Sequence, residues 1–147
     1  MTDATAGPWS AAEKGGRPTS RILVAEDDGA VREFIRRALE LQGHAVTAVE
    51  DGGRALEALD LADYDLLLSD VVMPRLDGIA LAEQVSHERP ALPIVLIAGK
   101  NDTPRSPARA WRLISKPFDR LGICAAVADA LQGYGADPAA ITGREPR

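Results

Sequence analysis

"LLLSDVVMPRLDG", Leu66 to Gly78, is the stretch on which the reading of this chain turns. Four apolar or small residues run straight into a carboxylate, Asp70; two more apolar residues, a proline and a second Asp-Gly follow. A short continuous apolar run bounded by turn residues is the pattern of a strand covered on both faces. Ending such a strand on a charged group is expensive unless the carboxylate is paired, bound to a metal or facing a cleft. Asp70 is therefore the first candidate functional residue.

Working outward, short apolar runs alternate with amphipathic segments. "RILVA" (21–25) predicts a strand, and "AVREFIRRALELQG" carries Val31, Phe34, Ile35, Ala38, Leu39 and Leu41 at helical spacing, with Gly43 as the stop. "AVTAVE" predicts a second strand, with His44 in the turn before it; "GGRALEALDLA" predicts a second helix. "DYDLLLSD" is the third strand, "GIALAEQVSHE" the third helix, "PIVLIAG" the fourth strand and "WRLIS" a short fifth. "FDRLGICAAVADALQG" closes the pattern as a last helix. Alternating β and α units with continuous apolar strands imply an α/β fold: a five-stranded parallel sheet, doubly wound, with helices on both faces. Between strands four and five, "KNDTPRSPARA" carries Pro104 and Pro107, so the helix expected there is shortened or replaced by a loop.

Composition bounds the function. The chain has 147 residues, 46% hydrophobic and 27% charged, which suits one globular domain over residues 20–132. Residues 1–19 and 133–147, rich in Gly, Ala, Pro and Thr, read as flexible extensions. The net charge of −5 without a basic cluster argues against a nucleic-acid surface. One cysteine, Cys124, excludes a disulfide framework within one chain and reads as a small buried side chain. No apolar run spans a bilayer and no signal-peptide core is present, so a soluble cytoplasmic protein is expected.

In doubly wound folds, ligands bind beyond the carboxyl ends of the strands, where the strand order reverses. Three strand ends here carry charge: "AEDD" after strand one, Asp70 at strand three, and "SKPF", with Lys116, after strand five. Glu26, Asp27 and Asp70 could gather three carboxylates at one edge. Hard oxygen ligands of that kind suit Mg²⁺, which offsets their repulsion. Lys116 adds a cation able to pair with a carboxylate or a phosphoryl oxygen. The plain structural alternative is that Asp27 or Asp28 caps the helix starting near Gly29.

"ILVAEDD", "DLLLSDVVMPRLDG" and "SKPF", in this order, resemble the receiver domain of bacterial response regulators over residues 21–132, about three quarters of the chain. The resemblance implies a flavodoxin-like fold and a single-domain response regulator in a two-component system. It makes Asp70 the phosphoacceptor, loaded by a histidine kinase or a histidine phosphotransfer protein. Glu26, Asp27, Asp70 and the backbone carbonyl of Val72 would hold Mg²⁺; Lys116 would contact the phosphoryl group, and the Lys116–Pro117 peptide is expected to be cis. The chemistry is coherent, because attack by a carboxylate on a loose phosphoryl group needs mainly alignment and charge neutralisation.

Two positions depart from the family pattern. Ala98 stands where a Ser or Thr belongs at the end of strand four, and Leu113 where an aromatic belongs on strand five. Alanine has no hydroxyl to donate, so the usual relay is missing at both ends and the output motion should differ. Val72, two after the phosphoacceptor, cannot hydrogen-bond a hydrolytic water, which implies a long-lived phosphoryl group. With no output domain expected after residue 132, the leading reading is a stand-alone switch, monomer or weak dimer, acting by protein contact. Some single-domain relatives prime an ATP-dependent protease or act as phosphate sinks, and the resemblance extends to the protease-adaptor kind. A basic segment (Lys100, Arg105, Arg109) beside the pocket is a candidate recognition surface. The alternative is a pseudo-receiver, a binding module working without phosphorylation; the intact acidic set opposes it. An enzyme proper is not expected, since "DVVMP" offers no second carboxylate close after the nucleophile to act as acid and base.

Overall fold

The computed structural model describes residues 20–99 and 111–132. The chain runs β1 (Arg21–Ala25), α1 (Gly29–Leu41), β2 (Ala45–Val49), α2 (Gly52–Leu61), β3 (Leu66–Asp70), α3 (Gly78–Glu88), β4 (Ile94–Ala98), β5 (Arg112–Ser115) and α4 (Arg120–Leu131). All strand pairs are parallel, in the order β2-β1-β3-β4-β5. This is the doubly wound sheet expected from the alternation of runs. Residues 1–19, 133–147 and the proline-bearing segment between strands four and five, with its three basic residues, lie outside the described residues.

The two-residue period of the strands splits the interior into two cores. Leu23, Ala25, Leu67, Leu96 and Ala98 face α2 and α3, meeting Ala55, Leu59, Leu81, Ala82 and Val85. Ile22, Val24, Leu66, Leu68, Val95 and Ile97 face α1 and α4, meeting Ile35, Leu39, Ile123 and Val127. Each such Leu or Ile, once fully buried, contributes roughly 1.5–3 kcal/mol of transfer free energy. β3 sits between β1 and β4 and every one of its residues is buried, Asp70 included.

Every described helix begins on an aspartate cap. Asp28 accepts from the N–H of Ala30 and Val31, Asp51 from Arg54, Asp77 from Ala80 and Asp119 from Gly122. The last helix is therefore shorter at its start than the sequence pattern suggested: Phe118 and Asp119 precede it. Along α1 only Ile35, Ala38 and Leu39 are buried, while Phe34 and Leu41 are exposed. Phe34 lies on the flank of the stripe, where its ring meets that of Phe118 with centroids 6.1 Å apart. Gly43 takes a φ of 96° just past the helix end, the left-handed turn that glycine permits. The fifth strand is the other departure. It is only half covered, with Leu113 and Ser115 exposed, because it lies at the end of the strand order.

Trp111, immediately before β5, packs against the core on the α2/α3 side and donates its indole N–H to Ser86 Oγ on α3 at 3.0 Å. Cys124 is half-buried against α1, its sulfur 3.7 Å from the Ala38 carbonyl, and burial pushes its thiol up in pKa. That environment is one of packing rather than of nucleophilicity.

Candidate functional site

The strand order reverses beside β1, with β2 on one side and β3 on the other, so the ends of β1 and β3 open on one crevice. β1 continues into Glu26, whose N–H donates to the Val49 carbonyl at 3.0 Å and prolongs the sheet by one residue. Glu26 is 2% exposed and turned inward, whereas Asp27 is exposed at the mouth. Asp28 leaves the set altogether and caps α1. The acidic run thus divides into a buried carboxylate, an exposed one and a cap. Carboxylate oxygens of Glu26, Asp27 and Asp70 lie within 4.8 Å of one another.

Asp70 is 2% exposed and held from two sides. Lys116 Nζ donates to its Oδ2 at 3.0 Å, and the Val72 N–H donates to its Oδ1 at 3.2 Å. Lys116 reaches it because its own N–H donates to the Ala98 carbonyl at 2.9 Å, holding the chain beyond β5 against β4. The following Lys116–Pro117 peptide is cis. Behind Asp70, Gly78 closes the loop: its N–H donates to the Val71 carbonyl at 2.7 Å, and a Cβ there would fall 2.1 Å from the Asp70 carbonyl oxygen. Ala98 is buried at the end of β4 and Leu113 is 37% exposed on β5, so the two atypical positions present a methyl and an outward-facing aliphatic side chain.

The charge balance of this crevice matches a divalent cation. Burial, then the adjoining Asp70 carboxyl and its negative charge, push Glu26 up to about 8, against the pull of the Asp28 N–H and of Lys116. Glu26 Oε2 accepts from the Asp28 N–H at 3.0 Å, but the buried Oε1 has no hydrogen-bond partner among the described residues. A buried carboxylate oxygen left without a partner, beside two further carboxylates, is the donor set that Mg²⁺ takes.

A stability prediction follows with a definite sign. Because the folded-state pKa of Glu26 is raised, its favourable contribution is present below its ordinary value of 4.5 and is lost as pH rises towards about 8. Scanning calorimetry in chelator should therefore show this group lowering the melting temperature between about pH 5 and pH 8, a slope that Glu26→Gln flattens. Mg²⁺ should raise the melting temperature more at the alkaline end, where it no longer competes with the proton. Equal slopes for wild type and Glu26→Gln would contradict the assignment of strain to this carboxylate.

With this geometry the chain belongs to the response regulator receiver domain family, whose profile matches residues 22–128. Among its relatives, the response regulator receiver protein CpdR of Brucella abortus is 41% identical over 106 residues, covering 67% of this chain and 85% of that protein. Among solved structures, the receiver domain of a signal transduction histidine kinase from Syntrophus aciditrophicus superposes with a TM-score of 0.70 at 29% identity, covering 78% of this chain and 92% of the other. The chemotaxis protein CheY4 of Vibrio cholerae shares the fold with a TM-score of 0.69 at 22% identity, over 76% of this chain and 98% of its own. Among the described residues, no helix is long and apolar enough to cross a membrane.

Sequence reasoning passed over two arginines. Arg32 folds back from α1, its Nη1 donating to the Glu26 carbonyl at 2.9 Å and the Asp27 carbonyl at 3.4 Å, which fixes the acidic turn from behind. Arg75, in the loop after Asp70, has φ 68° and pairs with Asp51 at 2.8 Å. Standing six residues after Glu26 is a weak hint for Arg32; a contact across 24 residues leaves no local trace for Arg75.

Proposed function

We propose that this chain is a phosphoacceptor switch: Asp70 takes a phosphoryl group from a phosphohistidine on a kinase or phosphotransfer protein, and the altered surface signals by protein contact. The observation that carries it is the joint placement of Asp70 between Lys116 and the Glu26–Asp27 pair at one crevice. One Asp70 oxygen attacks phosphorus as the donor's N–P bond breaks, giving an acyl phosphate. Lys116 Nζ, 3.0 Å from Oδ2, is placed to follow the charge onto a phosphoryl oxygen. The Val72 N–H steadies the other oxygen, orienting the nucleophile. Glu26, Asp27, Asp70 and the Val72 carbonyl would hold Mg²⁺, which would supply charge neutralisation for the transferring group.

On this reading the same residues assist the receiver's own loading, with no separate turned-over substrate. The supporting experiment is intact mass after acetyl phosphate, with Mg²⁺ and with chelator: one added phosphoryl group only with Mg²⁺ supports the proposal. No addition from acetyl phosphate or a kinase donor, in a protein that still binds Mg²⁺, would favour the pseudo-receiver reading.

Val72 is 54% exposed and apolar beside the nucleophile. It offers an incoming water no hydrogen bond, so the phosphoryl group should be long-lived; Val72→Asn is expected to shorten its lifetime several-fold, read by phosphate release from purified phosphoprotein. A wild-type lifetime already as short as the variant's would refute this. Downstream, the protease-adaptor branch remains the proposed destination, supported by the resemblance to stand-alone members of that kind. Pull-down by phosphorylated and unphosphorylated protein tests it.

A further inference from the structure

The loop between β3 and α3 touches the nucleophile directly, since the Val72 N–H donates to Asp70 Oδ1. Its far end is fixed at Gly78, and its middle makes a tight turn: Leu76 donates its N–H to the Pro74 carbonyl at 2.7 Å in a three-residue turn centred on Arg75. Among the described residues, Arg75 is the one non-glycine with positive φ, at 68°. Such turns are strained for a residue with a side chain and persist where the surroundings over-determine them. What determines this one is visible. Arg75 Nη2 donates at 2.8 Å to Oδ2 of Asp51, a carboxylate only 5% exposed at the start of α2. The other Asp51 oxygen accepts the Arg54 N–H at 2.8 Å, so both oxygens are used. The Arg54 N–H and then the Arg75 guanidinium hold the Asp51 carboxyl below its ordinary pKa. Next to it Gly52 lies flush on the loop, where a Cβ would come within 2.8 Å of the Leu76 carbonyl oxygen.

We propose that Arg75 is a positioning residue for phosphoryl transfer: clasped by Asp51 on α2, it sets the loop so that Val72 faces the acidic crevice. The proposal rests on the phosphoacceptor reading of Asp70. It also supplies a mechanical link from that residue to α2, in a chain whose Ala98 and Leu113 lack the groups of the usual relay.

Two variants separate positioning from mere stability. Arg75→Gly removes the guanidinium while glycine accepts the left-handed turn without strain. Asp51→Asn keeps a side chain that caps α2 but removes the charge. Magnesium ion alone is titrated by calorimetry, and the rate of phosphorylation by acetyl phosphate and the melting temperature are measured in parallel. Arg75→Gly is expected to melt close to wild type yet bind Mg²⁺ more weakly, on the order of tenfold, with phosphorylation slowed in step. Arg75→Lys should recover part of the affinity, and the double variant should be no worse than either single one. Wild-type Mg²⁺ affinity in Arg75→Gly would overturn the proposal, even if Asp51→Asn failed to fold. Wild-type protein that neither binds Mg²⁺ nor takes a phosphoryl group would instead overturn the phosphoacceptor reading, and the clasp's role with it.

Discussion

Asp70→Asn will fold, and it will accept no phosphoryl group under conditions that load the wild type to one per chain. Asn has the size and shape of Asp, and its amide oxygen can still accept from Lys116 Nζ, which lies 3.0 Å from Oδ2. What disappears is the anionic oxygen that would attack phosphorus in the proposed transfer. Removing that charge also relieves Glu26, whose carboxyl is raised partly by the adjoining, negatively charged Asp70. The variant should thus lie within about 1–2 kcal/mol of wild type in stability, a weakened charge-assisted bond set against relieved repulsion. Intact mass and a denaturant melt check both halves. A phosphoryl group on Asp70→Asn would place the acceptor elsewhere, and Asp27 at the crevice mouth would be examined first.

Gly78→Ala carries the second large effect, on folding and site together. Its new Cβ would meet the Asp70 carbonyl oxygen at 2.1 Å, the Asp70 carbonyl carbon at 2.8 Å and Val71 Cα at 2.8 Å. All three are backbone atoms, of Asp70 at the end of β3 and of Val71 after it, so no side chain can swing aside. Either α3 or the end of β3 must move, and the Gly78 N–H to Val71 bond at 2.7 Å is strained with it. Overpacking of this kind costs on the order of 3 kcal/mol, or about 12 °C in melting temperature for a domain this size. Chemical denaturation should find it, along with weakened Mg²⁺ binding. A variant as stable as wild type would mean the loop has slack that the close approach of Gly78 does not suggest.

The strands were legible because burial on both faces writes itself as unbroken apolar runs: Leu66–Leu68 and Ile94–Ile97 could hardly lie elsewhere. Charged residues ending three such runs marked one edge of the sheet, and the structure brings Glu26, Asp27 and Asp70 together there. The division of labour within "AEDD" was not legible from the pattern of the residues alone, which left the cap open between Asp27 and Asp28. Three successive acids have no periodicity to say which turns inward, and only the start of α1 and its need for a cap assign Asp28. Phe34 and Leu41 match the helical spacing yet lie outside the buried stripe, since spacing cannot tell a covered face from its flank. The half-covered fifth strand shows the same limit, because its place at the end of the sheet is a matter of topology. The Arg75–Asp51 clasp joins loops 24 residues apart and depends on α2 and the β3–α3 loop meeting in space.

The hydrogen bond from Trp111 to Ser86 has an optical consequence. The chain has two tryptophans, and Trp9 can be replaced by Phe to leave Trp111 as the single indole emitter. That emitter stands at the foot of β5, two residues before Leu113, with its N–H tied to α3. Its fluorescence then watches the contact between β5 and α3 from inside the protein. The residue that leads into the strand lacking the family's aromatic is thus a built-in emitter, and any change of that contact on the proposed phosphorylation would be read by light without a label.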